Sequence, residues 1–348
     1  MEYIALGCMS GTSLDGIDCS LIKSDGVSYV NEISNQYIPY SDELQLKLHN
    51  VILKGYLADI KVINQLNQEY RDSINNFIKK NNLEIDLIAM HGQTVYHDQK
   101  TKISIQLFDK SIRFNTHSPI ICNFRKNDLL NGGNGAPIMP EFHRVLANQL
   151  GLKKVIFVNI GGVTNITVID NQKITAGDSS FGNAIVNDLI YEKTKERFDV
   201  DGSLSNNGQK IDDLFKYITS DEYFLENLPK SLDRNSFHKY LDNFIKERKL
   251  NNSIYTLLEV IPFAINSLIS SQSDFKIILM GGGRKNLTLQ KIFKNYFNDV
   301  SLIDIYNMNG DFIESQGMAY LGTVSYTHLR AHETPEHRVW RRLLVKKK

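Results

Sequence analysis

The chain has 348 residues, with 40 Lys and Arg against 39 Asp and Glu, and it is 42% hydrophobic and 23% charged. That length exceeds the roughly 250–300 residues at which one core stops growing, so two domains are expected, and the ordinary composition excludes disorder, a collagen-like chain and a small disulfide or metal scaffold. No apolar run approaches the roughly 20 residues of a membrane span, and the opening MEYIALGCMS lacks the pattern of a secretory signal, so a cytoplasmic protein with neither a membrane nor a nucleic-acid partner is expected.

In chain order, YIALGCM, the turn SGTSLDGI, DCSLIK and a third strand near residues 27–38 predict an antiparallel meander. Helices are expected over 42–54 and over a second stretch in which Ile60, Ile63, Leu66, Tyr70, Ile74, Phe77 and Ile78 recur at steps of three or four. The strands IDLIAM, KISIQL and SPIICNF follow, and the glycine-rich break NGGNGAP leads to a helix opened by Pro140. Cys8, Cys19 and Cys122 have no CxxC spacing and are read as small buried residues.

The pattern then starts again. VIFVNI, GGVTNITVID and QKITAG predict a second meander, followed by the helix GNAIVNDLIYEKTKERF, further helices through Gln272, and the strand KIILM running into GGGRKN. A duplicated α/β architecture is expected, with domains at 1–131 and 132–324 and a ligand cleft between them. Residues 325–348 differ in composition, with seven Lys or Arg against two Glu, and are read as a non-native basic tail whose deletion leaves stability and ligand affinity unchanged or improved.

The turn Gly11, Thr12, Ser13, Leu14, Asp15, Gly16 has the parts of an anion nest: glycines for positive φ and close approach, with hydroxyls around them. Asp15 and Asp18 are oxygen ligands suited to Mg²⁺. An ordinary hairpin turn is the structural alternative. Gly161, Gly162, Thr164 and Asn165, and Gly281, Gly282, Gly283 and Asn286, repeat the theme at strand ends and read as walls of a nucleotide site or as tight connections. Asp178, placed on a loop before a helix starting near Asn183, is either a general base or that helix's N-cap. His91 and Arg125, just beyond apolar strands, are candidate ligand contacts, and the six-residue spacing of His91 and His97 gives no metal site. Glu141 and His143 cap or line the cleft, and Lys230, Asp233 and Arg234 are either contacts for an acidic substrate or a solvated loop.

Taken in order, GCMSGTSLDGID, MHGQTVYH, GGNGAPIMPEFH, NIGGVTNIT, GDSSFGN, PKSLDRNSF and GGGRKN resemble the motifs of the anhydro-N-acetylmuramic acid kinases over nearly all of residues 1–324. The resemblance implies a two-domain hexokinase/actin-like (ribonuclease H-like) α/β fold with an interdomain cleft. It implies a kinase that uses ATP and Mg²⁺ to open the 1,6-anhydro ring hydrolytically and phosphorylate O6 of this small amino sugar, in peptidoglycan recycling, and a chain that can form a homodimer. By the same resemblance Gly11, Thr12, Ser13, Leu14, Asp15, Gly16, Ile17 and Asp18 are the ATP phosphate segment. The turns at Gly161, Gly162 and Asn165 and at Gly281, Gly282, Gly283 and Asn286 border the nucleotide, Asp178 is the catalytic base, and His91, Arg125 and Asn183 are substrate contacts.

The chain departs from the family pattern in places. Asp178 is followed by Ser179, Ser180 and Phe181 where the family has Thr-Gly-Pro, Asn123 replaces an Asp, and Gln106, Leu107, Phe108 and Asp109 replace a more glycine-rich turn. Family chains continue past FIESQGMAYLG, so a missing native end with some loss of stability or activity is expected. A kinase for another sugar and a non-catalytic nucleotide-gated binding protein are the alternatives.

Overall fold

The computed structural model describes residues 1–11, 14–55, 58–98, 101–109, 111–246, 249–269 and 275–329. The chain divides into two compact units, residues 1–150 with residues 312–329, and residues 151–311.

In the first unit β1 (Tyr3–Ser10), β2 (Gly16–Ser24) and β3 (Val30–Pro39) form the expected antiparallel meander. Side chains of β1 and β2 are buried on both faces, as in a strand covered on two sides. Helices α1 (Asp42–Leu53) and α2 (Ile60–Asn81) open on Ser41 and Asp59, whose side chains accept from the amides of Leu44 and Lys61. The buried stripe of α2 starts at Leu66 and continues through Tyr70, Ile74 and Phe77, while Ile60 is exposed. Strand β4 (Leu87–Asp98) runs parallel to β1, passes an irregularity between Cys8 and Ser10, and then pairs antiparallel with β5 (Ile103–Leu107); β6 (Ile120–Ile121) lies beside its first half. Helices α3 (Phe124–Leu130) and α4 (Pro140–Gln149) complete this part.

The second unit opens on β7 (Lys154–Ile160), β8 (Val163–Asp170) and β9 (Lys173–Phe181), again antiparallel, and then α5 (Asn183–Thr194). Helices α6 (Asp212–Thr219), α7 (Leu241–Ile245) and α8 (Leu250–Leu268) lead to β10 (Lys276–Met280), parallel to β7, and then to α9 (Leu287–Tyr296) and β11 (Val300–Leu302), parallel to β10. Helix α8 buries most of its length, which places it at the centre of this unit's core with Phe237, Phe244 and Phe293.

The strand orders, β3-β2-β1-β4-β5 and β9-β8-β7-β10-β11, repeat one plan: a meander with a parallel strand added beside its first member. That is the ribonuclease H-like order, so the duplicated α/β fold expected from the sequence is present.

Several details differ from the sequence reading. The break lies at Leu150–Gly151 rather than at 131, because NGGNGAP is a loop inside the first unit and α4 still belongs to it. Residues 312–324 do not belong to the second unit either. They begin α10 (Ile313–Leu329), which packs in the first unit, where Ser315 Oγ lies 2.7 Å from Ser20 Oγ on β2. Residues 325–329 form the last turn of α10: Ser325 is buried and donates to Leu321 O at 2.9 Å, and Tyr326 meets Tyr3 edge to face at 5.3 Å. Residues 330–348, the remainder of the expected tail, lie outside the described residues. Cys8 and Cys19 are buried as expected, whereas Cys122 is only half-buried.

Deletion from 325 should thus destabilise the protein, contrary to the sequence expectation. Tyr326→Ala alone should cost about 1 kcal/mol, the scale of a lost edge-to-face pair, read as a lower urea midpoint with an unchanged slope.

Candidate active site

In the first unit, the turn between β1 and β2 carries the first candidates. Thr12 and Ser13 lie outside the described residues. Leu14 is buried and sits at φ 60, in the left-handed region that a branched side chain seldom adopts. Gly16 was expected to supply positive φ but does not: it is the first residue of β2, and a Cβ there would approach Ile38 O and the Tyr37 ring at 2.5 and 2.7 Å. Ile17 is buried and Asp15 exposed. Asp15 O accepts from Tyr40 N at 2.9 Å and from Tyr37 Oη at 3.0 Å. Asp18 pairs with Tyr37 across β2 and β3. Burial, joined by the charges of Asp15 and Asp18, pushes the Tyr37 hydroxyl up to about 12, so two carboxylates bear on one point.

His91 and Arg125 are in contact. His91 does not end its strand; β4 runs on to Asp98, and Arg125 is the second residue of α3. Arg125 Nε donates to His91 Nε2 at 2.9 Å, so that nitrogen carries no proton, and Nδ1–H faces Gly92 O at 2.9 Å. Burial, helped by the Arg125 charge, takes His91 down to about 3, and the imidazole is a neutral prop for the guanidinium. Burial and then Arg125 also lower His97, to about 4. Asn123, at φ 64, is the αL residue from which α3 starts, a conformation that Asn tolerates. Glu141 pairs with Arg144 at 2.7 Å, and His143 is buried inside α4, where burial lowers it to about 3.

In the second unit Asp178 is not on a loop. It lies within β9, and Gly182 occupies the N-cap of α5, so the capping role is excluded. Cross-strand register places Asn159, Asn165 and Asp178 side by side on β7, β8 and β9, all half-buried, just before an irregularity at Thr164–Asn165. The segment PKSLDRNSF, read from sequence as a solvated loop or substrate contact, lies along the outer edge of β9 and holds this residue. Asp178 N donates to Lys230 O at 2.9 Å, and Leu232 N donates to Asp178 Oδ2 at 2.8 Å. Tyr223 Oη donates to Asp178 O at 2.6 Å. Lys230 is buried, with Nζ 2.7 Å from Tyr223 O and 4.1 Å from the Tyr223 ring centre, and its burial lowers its pKa. Asp233 and Arg234 are exposed. The residues that replace the family's Thr-Gly-Pro are all buried: Ser179 Oγ donates to Thr164 O at 3.2 Å, Ser180 Oγ to Phe181 O at 2.7 Å, and Phe181 packs on Phe237 at 5.1 Å.

The glycine turns of this unit converge on the start of α5. Gly161 O accepts from Asn183 N at 2.7 Å and Gly162 O from Ala184 N at 3.2 Å, while Asn183 Nδ2 lies 3.5 Å from Ile160 O. A Cβ on Gly283 would strike Ile160 and come within 3.1 Å of the Asn183 amide, which brings the third turn to the same place. Gly281 holds φ 73, whereas a Cβ on Gly282 would meet nothing within 4 Å. Asn286 has a structural role missed in the sequence: it caps α9, accepting from Leu289 N at 2.9 Å, and donates to Asp199 at 3.1 Å. Arg284 was missed as well. It is buried and pairs with Asp304 through Nε at 2.7 Å and Nη2 at 2.8 Å, with Asp311 at 2.6 Å, and donates to Gly281 O at 3.0 Å, so it fixes the turn. Among the described residues no group of three metal-ligating side chains occurs, and no helix is long and apolar enough to cross a membrane.

Residues 2–335 match the family model for anhydro-N-acetylmuramic acid kinase. That match extends past residue 324, where the sequence reading placed the end of the native chain. The anhydro-N-acetylmuramic acid kinase of Pelagibacter ubique is 34% identical over 92% of this chain and 91% of its own length. That of Methylobacterium nodulans is 31% identical over 93% of this chain and 94% of its own length. A solved ROK family glucokinase from Streptomyces griseus is similar at 11% identity and a TM-score of 0.44, covering 92% of this chain and 99% of that one. With a match that spans both units and relatives of matching length, the chain belongs to the anhydro-N-acetylmuramic acid kinase family.

Proposed function

We propose that this chain is an ATP-dependent kinase that hydrolytically opens the 1,6-anhydro ring of anhydro-N-acetylmuramic acid and phosphorylates O6, with Asp178 as general base. Family membership supports the reaction. The observation that carries the residue assignment is the setting of Asp178: its Oδ2 is fixed by Leu232 N at 2.8 Å, and it caps no helix. A carboxylate held that way can take a proton from water as water attacks the anomeric carbon. The C1–O6 bond breaks, and O6 attacks the γ-phosphorus of ATP, which leaves ADP and the 6-phosphate. Phosphoryl transfer of this kind rests on positioning and charge stabilisation.

The Gly11–Asp18 segment takes the phosphates in this reading, and the turns at Gly161–Gly162 and Gly281–Gly283 border the nucleotide. Asp15 and Asp18 would hold Mg²⁺, for which two carboxylates are suitable because the ion keeps several waters and binds phosphate oxygens. The ion supplies neutralisation of phosphate charge. His91 props Arg125 as a substrate contact, and Asn183 joins them in that role. Because Ser179, Ser180 and Phe181 are buried, their departure from the family pattern alters the interior of β9 and adds no exposed side chain that would select another sugar.

Gly282→Ala tests the nucleotide wall. A Cβ there meets no protein atom within 4 Å, so the melting temperature should not change, while ATP affinity measured by calorimetry should fall about tenfold, or about 1.4 kcal/mol. Parental affinity would remove this turn from the nucleotide site.

A further inference from the structure

We infer that Gln93 and Tyr40 are positioning residues for ATP: through a buried hydrogen-bond chain they fix both ends of the Gly11–Asp15 turn. The inference deepens the phosphate-segment reading and rests on it.

Gln93 is fully buried on β4, beside Ser10 at the end of β1. Its Nε2 donates to Gly11 O at 2.6 Å and to Thr94 O at 3.1 Å. With both amide hydrogens directed at carbonyls, Oε1 is turned to Tyr40 Oη, 3.1 Å away. Tyr40 Oη also lies 2.8 Å from Ser10 Oγ and 3.2 Å from Tyr70 Oη, which are 2.9 Å from each other. Each hydroxyl has one hydrogen. Tyr40 Oη can donate to Gln93 Oε1, Ser10 Oγ or Tyr70 Oη, so the four side chains form one connected buried network. The network reaches the turn through Gln93, whose amide donates to Gly11 O.

Tyr40 acts at the other end of the turn as well, since its backbone N–H donates to Asp15 O at 2.9 Å. One residue thereby holds the exit of the turn with its amide and, through Gln93, the entrance with its hydroxyl. Between these two points lies Leu14 at φ 60, a conformation that persists only where its surroundings impose it. The surrounding core of Leu6, Ile17, Leu44, Leu48 and Met90 is apolar, so packing alone would be served as well by residues without hydroxyls. The bonds from Gln93 and Tyr40 that end on the carbonyls of Gly11 and Asp15 are what assign the network a role in holding that turn.

The test compares Tyr40→Phe and Gln93→Met, which keep the ring and the side-chain length, with the parent and with Gly11→Val. KM for ATP and for the anhydro sugar, kcat, and melting temperature are measured for each. Both network variants should raise KM for ATP about tenfold while leaving KM for the sugar unchanged. Tyr40→Phe removes a single oxygen and provides the reading if Gln93→Met does not fold. A Gly11→Val protein with weakened ATP binding beside network variants with parental KM for ATP, or with equal changes for ATP and sugar, would overturn the inference and leave the phosphate turn standing. Parental ATP binding in Gly11→Val would overturn both.

Discussion

Asp178→Asn should bind ATP and sugar with near-parental affinity and lose turnover by about a hundred- to ten-thousandfold, the scale of a general-base contribution. The substitution keeps the size of the side chain and an oxygen that can still accept from Leu232 N. The strand position makes the result sharper than the sequence allowed. As an N-cap, Asp178 would have been replaced by Asn almost without effect, but Gly182 holds that place, so a stability change is not the expected outcome. Phosphorylated sugar formed per enzyme, measured beside a melting curve, separates loss of chemistry from loss of fold.

Arg284→Met should have the largest effect on stability. The guanidinium is only 5% exposed and satisfies Asp304, Asp311 and the carbonyl of Gly281. Removing one member of such a group leaves the other charges uncompensated and costs about 3–5 kcal/mol; since Asp304 and Asp311 keep 41% and 31% of their side-chain surface, the lower end is expected. The effect depends on pH. Hydrogen bonds from Arg284 hold Asp304 below the usual carboxylate range. For Asp311 burial pushes upward and is outweighed by Arg284 and Lys285. Stability from a lowered carboxylate is complete above its unfolded pKa of about 3.9 and is lost as pH falls through the folded value. The difference between parent and variant, measured by urea unfolding, should therefore be full at neutral pH and shrink in acid.

Much of the fold was legible because its signals are local. The stripe of α2 and two meanders with polar turns follow from periodicity and turn chemistry. What could not be read depends on pairing across the chain. GDSSF resembles a loop because Gly, Asp and Ser favour turns, yet it completes β9, because Asn165 and Thr164 on β8 and Lys230 on the far side supply its partners. The helix from Ile313 looked like the close of the second half, and only its packing on β1 and β2 assigns it to the first.

The same division holds for the candidate site. Asp178, the glycine turns, His91 and Arg125 were visible as residue types at strand ends. Their supports were not. Lys230 read as a substrate contact or part of a solvated loop, and Arg284, Tyr40 and Gln93 carried no signal of their own. A bond from Tyr223 Oη to a main-chain oxygen 45 positions away has no periodic signature. The motif PKSLDRNSF was the available signal, since it stands in the ordered set of family motifs, although its charges were read as substrate contacts or a solvated loop.

The most direct measurement is mass spectrometry of the products after incubation with ATP and 1,6-anhydro-N-acetylmuramic acid. The account predicts stoichiometric ADP and a sugar that has gained both the elements of water and one phosphoryl group, because O6 becomes available only when the anhydro bond opens. No ADP, or ADP formed while the anhydro sugar stays intact, would contradict it.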